Sequence, residues 1–213
     1  MNLLSLKKLL SKVREELKQK EEAKEEIQKN MRQATRLSKQ AILLIHKQRL
    51  EEARTSLRKT DRFFSTLTKL AKKYPELFYL GLVNAAFQEY TEAQMLLRLV
   101  EKGQFMSPEE LNVPSIDYVL GLADVIGELR RRTLDMLRKG DVKMAEKCLE
   151  TMEEIFSELT AMDEAYMLIP GLRRKCDIAR HVIEATRGEV TIEARRASLE
   201  RSIRKLEKAL TMK

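Results

Sequence analysis

Tryptophan is absent, and 213 residues carry only two histidines, two cysteines, four prolines and seven glycines. So few chain breakers make long helices the expected architecture. Cys148 and Cys176 stand alone with no CxxC spacing, which excludes a secreted disulfide scaffold and leaves buried free thiols in a reducing cytoplasm. No uncharged stretch is long enough to span a bilayer, so no membrane partner is expected. Lys7 and Lys8 interrupt the N-terminal leucines, so no secretory apolar segment forms. Strand-period alternation is missing throughout.

What remains is an all-α pattern with 43% hydrophobic and 35% charged residues, enough apolar material for a real core. The net charge of +8 suits a nucleic acid or an acidic surface as partner, and equally plain solubility. Apolar steps of three and four run from Leu3 through Leu6, Leu10, Val13 and Leu17. They resume in the same frame at Ile27, Met31, Ala34, Ser38, Ala41 and Ile45. This heptad predicts one long helix, or two collinear ones, to about Gln48, with Lys18–Glu26 as solvated helical surface. It also predicts more apolar surface than one subunit buries, hence a homo-oligomer. A second helix is expected from Leu50, stopping before Tyr74-Pro75, and a third from Pro75 to Lys102. A capped turn follows at Ser107-Pro108, then a helix from a Ser115 cap to Lys139 and one from an Asp141 cap to Ala161. The last two are expected from Pro170 to Gly188 and from Ile192 to Leu210.

Two of these helices differ in kind. Between Leu77 and Leu97 the only charges are Glu89 and Glu92, where a stretch that long at the chain's own 35% charge would carry about seven. Between Tyr118 and Glu128 the only charges are Asp124 and Glu128. Each helix reads as buried, carrying one acidic pair and no base. Spacings of three and four put each pair on one helical face. Like charges held together in apolar surroundings need compensation, and two sources stay open. One is a hard cation, Mg²⁺ or Mn²⁺, favoured by all-oxygen ligands and able to activate water. The other is pairing with Arg98, Arg130, Arg131 or Arg132. A di-iron carboxylate centre is excluded, because neither His46 nor His181 has a glutamate three residues before it. Arg131 follows Asp124 by seven residues and Glu128 by three, so it shares their face and is placed to hold a phosphate.

At these residues the chain resembles the translin/Trax family. Phe87-Gln88-Glu89-Tyr90-Thr91-Glu92-Ala93 is similar to the Q-E-Y-x-E-A segment of Trax. The run from Asp117 to Leu129, DYVLGLADVIGEL, is similar to the family's D-Y-L-x-G-x-x-D-x-x-x-E-L helix. Ser38–Lys47 and Gly140-Asp141 also resemble family segments. The likeness runs from about Asn30 onward, so the chain is expected to form a single domain, 1–213, whose residues 1–29 are an extended N-terminal helical arm.

The resemblance implies a bundle of about seven helices assembling into a closed, hollow oligomer, by analogy an octamer. It implies binding of single-stranded RNA or DNA, and a Mg²⁺- or Mn²⁺-dependent endoribonuclease site at Glu89, Glu92, Asp124 and Glu128, with Arg131 on the scissile phosphate. The full acid set points to the catalytic, Trax-like branch and to a prokaryotic, archaeal, cytoplasmic homologue. A non-catalytic nucleic-acid-binding scaffold, as translin resembles, is the rival. Translin's His- and Arg-rich stretch has no counterpart in the ELFYLGLVN run before Ala85, so Lys72, Lys73 and Arg131 are the expected RNA contacts.

Overall fold

The computed structural model describes residues 6–211, which form seven α-helices and two 3-10 turns with no strand among them. The helices are α1 (Leu6–His46), α2 (Leu50–Lys73), α3 (Gly81–Lys102), α4 (Pro108–Leu111), α5 (Ser115–Arg138), α6 (Val142–Ala161) and α7 (Leu172–Thr211). They group into two compact units, Met1–Leu97 and Arg98–Lys213, divided inside α3 with no intervening linker.

The first unit is built on an α1–α2 hairpin. The frame Ile27, Met31, Ala34, Ser38, Ala41 and Ile45 is fully buried and packs with Ala53, Leu57, Phe64 and Leu67 of α2. Burial of each large aliphatic side chain in this seam stabilises by about 1.5–3 kcal/mol. The chain reverses at Gln48, whose φ of 60° is the left-handed conformation that ends a helix. Aromatic packing fixes α3 in this unit: Phe87 stacks on Phe64 at 4.5 Å and Tyr90 meets Phe64 edge-on at 5.1 Å. The Tyr90 hydroxyl donates to Asp61 Oδ1 at 2.6 Å, tying α3 to α2.

In the second unit, α5, α6 and α7 pack on one another. Ser107 and Glu110 form a reciprocal capping box at α4, as the Ser-Pro-Glu-Glu run predicts. The α5–α6 turn uses Gly140 at φ 78°, and the Asp141 side chain accepts from Met144 N to cap α6. The core frame of α7 is Leu172, Cys176, Ala179, Ile183, Thr186 and Val190.

Four expectations change. The third helix begins with a 3-10 turn, Pro75–Tyr79, before α3 proper, because Pro75 and the apolar run after it close tight i→i+3 turns first. The N-cap of α5 is Pro114 in extended conformation, and Ser115 is already helical. Gly188 does not end a helix: α7 runs unbroken for 40 residues, since one glycine costs a helix only about 1 kcal/mol and no proline follows it. The second half of the long heptad leaves no apolar surface free, because α2 covers it. Among the described residues, the exposed large apolar side chains of α1 are Leu6, Leu9, Leu10, Val13, Leu17 and Leu43, and those of α7 are Ile178, Ile192, Leu199, Ile203, Leu206 and Leu210. The start of the heptad at Leu3 lies outside the described residues. Lys18–Glu26 is continuous helix, with Ala23 the first buried position of α1 among the described residues.

Candidate functional site

The acidic helices are as apolar as their sequences suggest. Along α3, Val83, Ala86, Phe87, Tyr90, Thr91, Ala93 and Met95–Leu97 are buried, and along α5 so are Val119–Gly121, Ala123, Val125, Ile126 and Leu129. Glu89, Glu92, Asp124 and Glu128 occupy the flanks of these faces, each partly exposed. Glu89 and Glu92 belong to the first unit, Asp124 and Glu128 to the second.

Glu89, Asp124 and Glu128 each meet a cationic side chain. Lys39 of α1 lies 3.2 Å from Glu89 Oε1. Lys175 of α7 donates to both oxygens of Asp124 at 2.5 Å, in a small cavity of about 120 Å³ floored by Ala123, Ile126, Ala179 and Val182. Arg131 Nη1 stands 3.8 Å from Glu128 Oε2, keeping the company its spacing predicts. Glu92 and Glu128 each have a further interaction of their own.

The arginines considered as counter-ions go elsewhere, apart from Arg131. Arg98 pairs with Glu110 at 3.5 Å, and Arg130 reaches Thr186 and Glu189 on α7 at 2.6 and 3.1 Å. Arg132 turns inward against Cys148. Lysines from α1 and α7, distant in sequence, supply the charge instead. No local pattern marks Lys39; Lys175 closes the basic run Arg173-Arg174-Lys175. Arg132 could have been found, because it falls in the core frame Val125, Leu129, Arg132, Met136.

The donor chemistry suits a hard divalent cation: carboxylate oxygens only, in pairs, accessible to solvent yet rooted in apolar helices. The arrangement described is one of pairs, for no three His, Cys, Asp or Glu side chains among the described residues are gathered as metal ligands. An ion taken up by either pair has to displace an ammonium or a guanidinium.

The expected RNA contacts Lys72 and Lys73 end α2, exposed, with Lys73 Nζ 3.0 Å from Gln19 Oε1 and 5.1 Å from the Tyr74 ring centre. Between the two glutamates of α3, burial and the Asp61 carboxylate push the Tyr90 hydroxyl far above its ordinary range, so it stays a donor. Both cysteines are free and buried, and burial pushes both thiols up. Among the described residues no helix is long and apolar enough to cross a membrane.

Comparison with known proteins agrees over nearly the whole chain. Residues 22–210 match the model of the Translin family. An uncharacterised protein of Methanocaldococcus jannaschii is 31% identical over 197 residues, covering 92% of this chain and 87% of that protein. A solved structure described as an AfC3PO–duplex RNA complex is 36% identical with a TM-score of 0.78, covering 87% of this chain and 96% of that one. Apo-NeC3PO is 25% identical with a TM-score of 0.80, covering 91% and 100%. With the helix order and acidic helices in place, the chain belongs to the translin family.

Proposed function

We propose that this protein binds RNA as a cytoplasmic homo-oligomer and cleaves single-stranded RNA with Mg²⁺ or Mn²⁺, as a member of the catalytic, Trax-like branch. One observation carries the chemistry: two otherwise uncharged, buried helices each present one acidic pair, and Arg131 stands beside one of them. Similarity to the AfC3PO–duplex RNA complex supports the choice of RNA. Glu89, Glu92, Asp124 and Glu128 would hold one or two such ions, which would supply activated water and charge stabilisation at a phosphodiester. Arg131 contacts the scissile phosphate once it leaves Glu128, and its planar fork suits two phosphate oxygens. Lys72 and Lys73 offer flexible positive charge to the backbone. The exposed apolar stripes of α1 and α7 support an assembly larger than a dimer, with eight subunits by analogy.

Purified protein should cleave single-stranded RNA with Mn²⁺ and stop in EDTA, and light scattering should give a mass several times that of one chain. Cleavage surviving exhaustive chelation removes the metal mechanism, and a monomer at micromolar concentration removes the assembly. The non-catalytic reading has an observation of its own: Lys39, Lys175 and Arg131 already stand beside Glu89, Asp124 and Glu128. It predicts RNA binding with no cleavage under any divalent ion.

A further inference from the structure

Arg132 is the one arginine of α5 drawn into the interior, only 8% exposed. A guanidinium cannot shed its charge, so its burial demands an anion or a dense set of acceptors. Among the described residues it makes no ion pair, and it lies against the neutral thiol of Cys148. It lines a half-open cavity of about 240 Å³ within the second unit, among the end of α3, α5 and α6.

The rest of the wall is also basic. Lys102 and Lys147 contribute ammoniums, Glu101 is the single acid, and Thr151 adds a hydroxyl. Gly103 ends α3 at φ 63°, and the Lys147 ammonium lies 3.6 Å from where a side chain there would begin. That leaves the Lys147 charge close over bare backbone at the rim.

We infer that this cavity binds a dianionic phosphate, with Arg132 as the buried fork and Lys102 and Lys147 as the outer clamp. The charges sum to about +2, matching a phosphate monoester or free phosphate at neutral pH better than the single charge of a phosphodiester. The volume falls below the roughly 300 Å³ at which small-molecule sites begin, so the phosphate enters and any attached nucleoside stays outside. Arg132 follows Glu128 by one helical turn, about 6 Å along the axis. The site is nonetheless separate from the acids and does not depend on RNA cleavage. Free phosphate and the phosphorylated end of an RNA strand share this chemistry.

Cys148 lies in the same wall and reports on the cavity. In Cys176→Ser protein held in EDTA, its alkylation by iodoacetamide is timed with inorganic phosphate, and with a 2′-O-methyl RNA dinucleotide carrying or lacking a 5′-phosphate. Potassium chloride at matched ionic strength is the control. Phosphate or the 5′-phosphorylated dinucleotide should slow alkylation several-fold, while the unphosphorylated dinucleotide and chloride leave it unchanged. Whichever phosphate protects identifies the source. Lys147→Ala and Lys102→Ala, both at exposed positions, should weaken the protection while melting as the parent does. Arg132→Lys should weaken it further by removing the fork while keeping the charge. Protection no greater than chloride gives, or protection unaltered in Lys147→Ala, overturns the site whether or not the protein cleaves RNA.

Discussion

The two acidic pairs look alike in sequence and differ in what holds them. Glu89 meets Lys39, a side chain 62% exposed on the hairpin helix α1, through a single 3.2 Å contact. Asp124 is gripped through both oxygens by Lys175, only 27% exposed and seated against the apolar floor of its cavity. Glu128, one turn on, has Arg131 nearby at a loose 3.8 Å. Similar carboxylates on similar helices therefore start from unequal readiness to take another cation. Glu89 gives up a solvated partner, whereas Asp124 must expel an ammonium that already sits where a cation between its oxygens would be.

The largest expected effect ignores that inequality. If all four acids are ligands, Glu89→Gln, Glu92→Gln, Asp124→Asn and Glu128→Gln should each lower RNA cleavage roughly 100-fold or more, since each removes charge and coordination together. RNA binding measured in EDTA should hold within about two-fold, because phosphate contacts come from basic residues. Cleavage lost only in the α5 variants would break the symmetry of the two pairs and confine the site to the second unit.

The inequality itself shows in metal requirement. An ammonium on a partly exposed carboxylate contributes about 1 kcal/mol, which is roughly five-fold in a binding constant. Lys175→Met should thus lower the Mn²⁺ concentration giving half-maximal cleavage several-fold, and Lys39→Met by less than two-fold. Equal effects would mean that Lys175 does not compete for Asp124.

Tyr90 tests how the α3 pair is aimed. Its hydroxyl joins Asp61 on α2 and accepts from Gln94 at 2.8 Å, fixing the α3 face that carries Glu89 and Glu92. Tyr90→Phe removes one hydrogen bond to a carboxylate that water can still reach, so it should cost about 1 kcal/mol in denaturant unfolding. Cleavage should fall less than in any amide variant. A loss as deep as that of Glu89→Gln would place Tyr90 in the chemistry.

Helix identity was legible because it depends on local pattern: the frame from Ile27 to Ile45, the Ser107 box and the Asp141 cap are all short-range signals. The acids were legible as outliers in uncharged stretches. Their partners were not, because Lys39 and Lys175 lie 50 or 51 residues from Glu89 and Asp124 and reach them only through packing. Gly188 misled for a related reason. A glycine is a helix stop only when the chain needs a left-handed turn there, and α7 continues straight. Arg132 reads in sequence only as one more candidate counter-ion beside Arg131, although its register with Leu129 and Met136 points inward.

The smallest expected effect separates ligand from structural ion pair. In EDTA, Glu89→Gln releases one exposed lysine and should change unfolding free energy by no more than about 0.5 kcal/mol. Asp124→Asn leaves the less exposed Lys175 without its carboxylate, but both side chains of that pair still see water. The loss should therefore stay at about 0.5–1 kcal/mol. A fully buried pair broken the same way would lose about 3–5 kcal/mol. Urea unfolding of both variants, set beside their cleavage rates, resolves the difference. Small stability changes with cleavage abolished identify acids kept for a metal. A loss of several kcal/mol in Asp124→Asn with cleavage intact would make the Lys175–Asp124 contact a structural clamp between α5 and α7, and the catalytic set would lose Asp124.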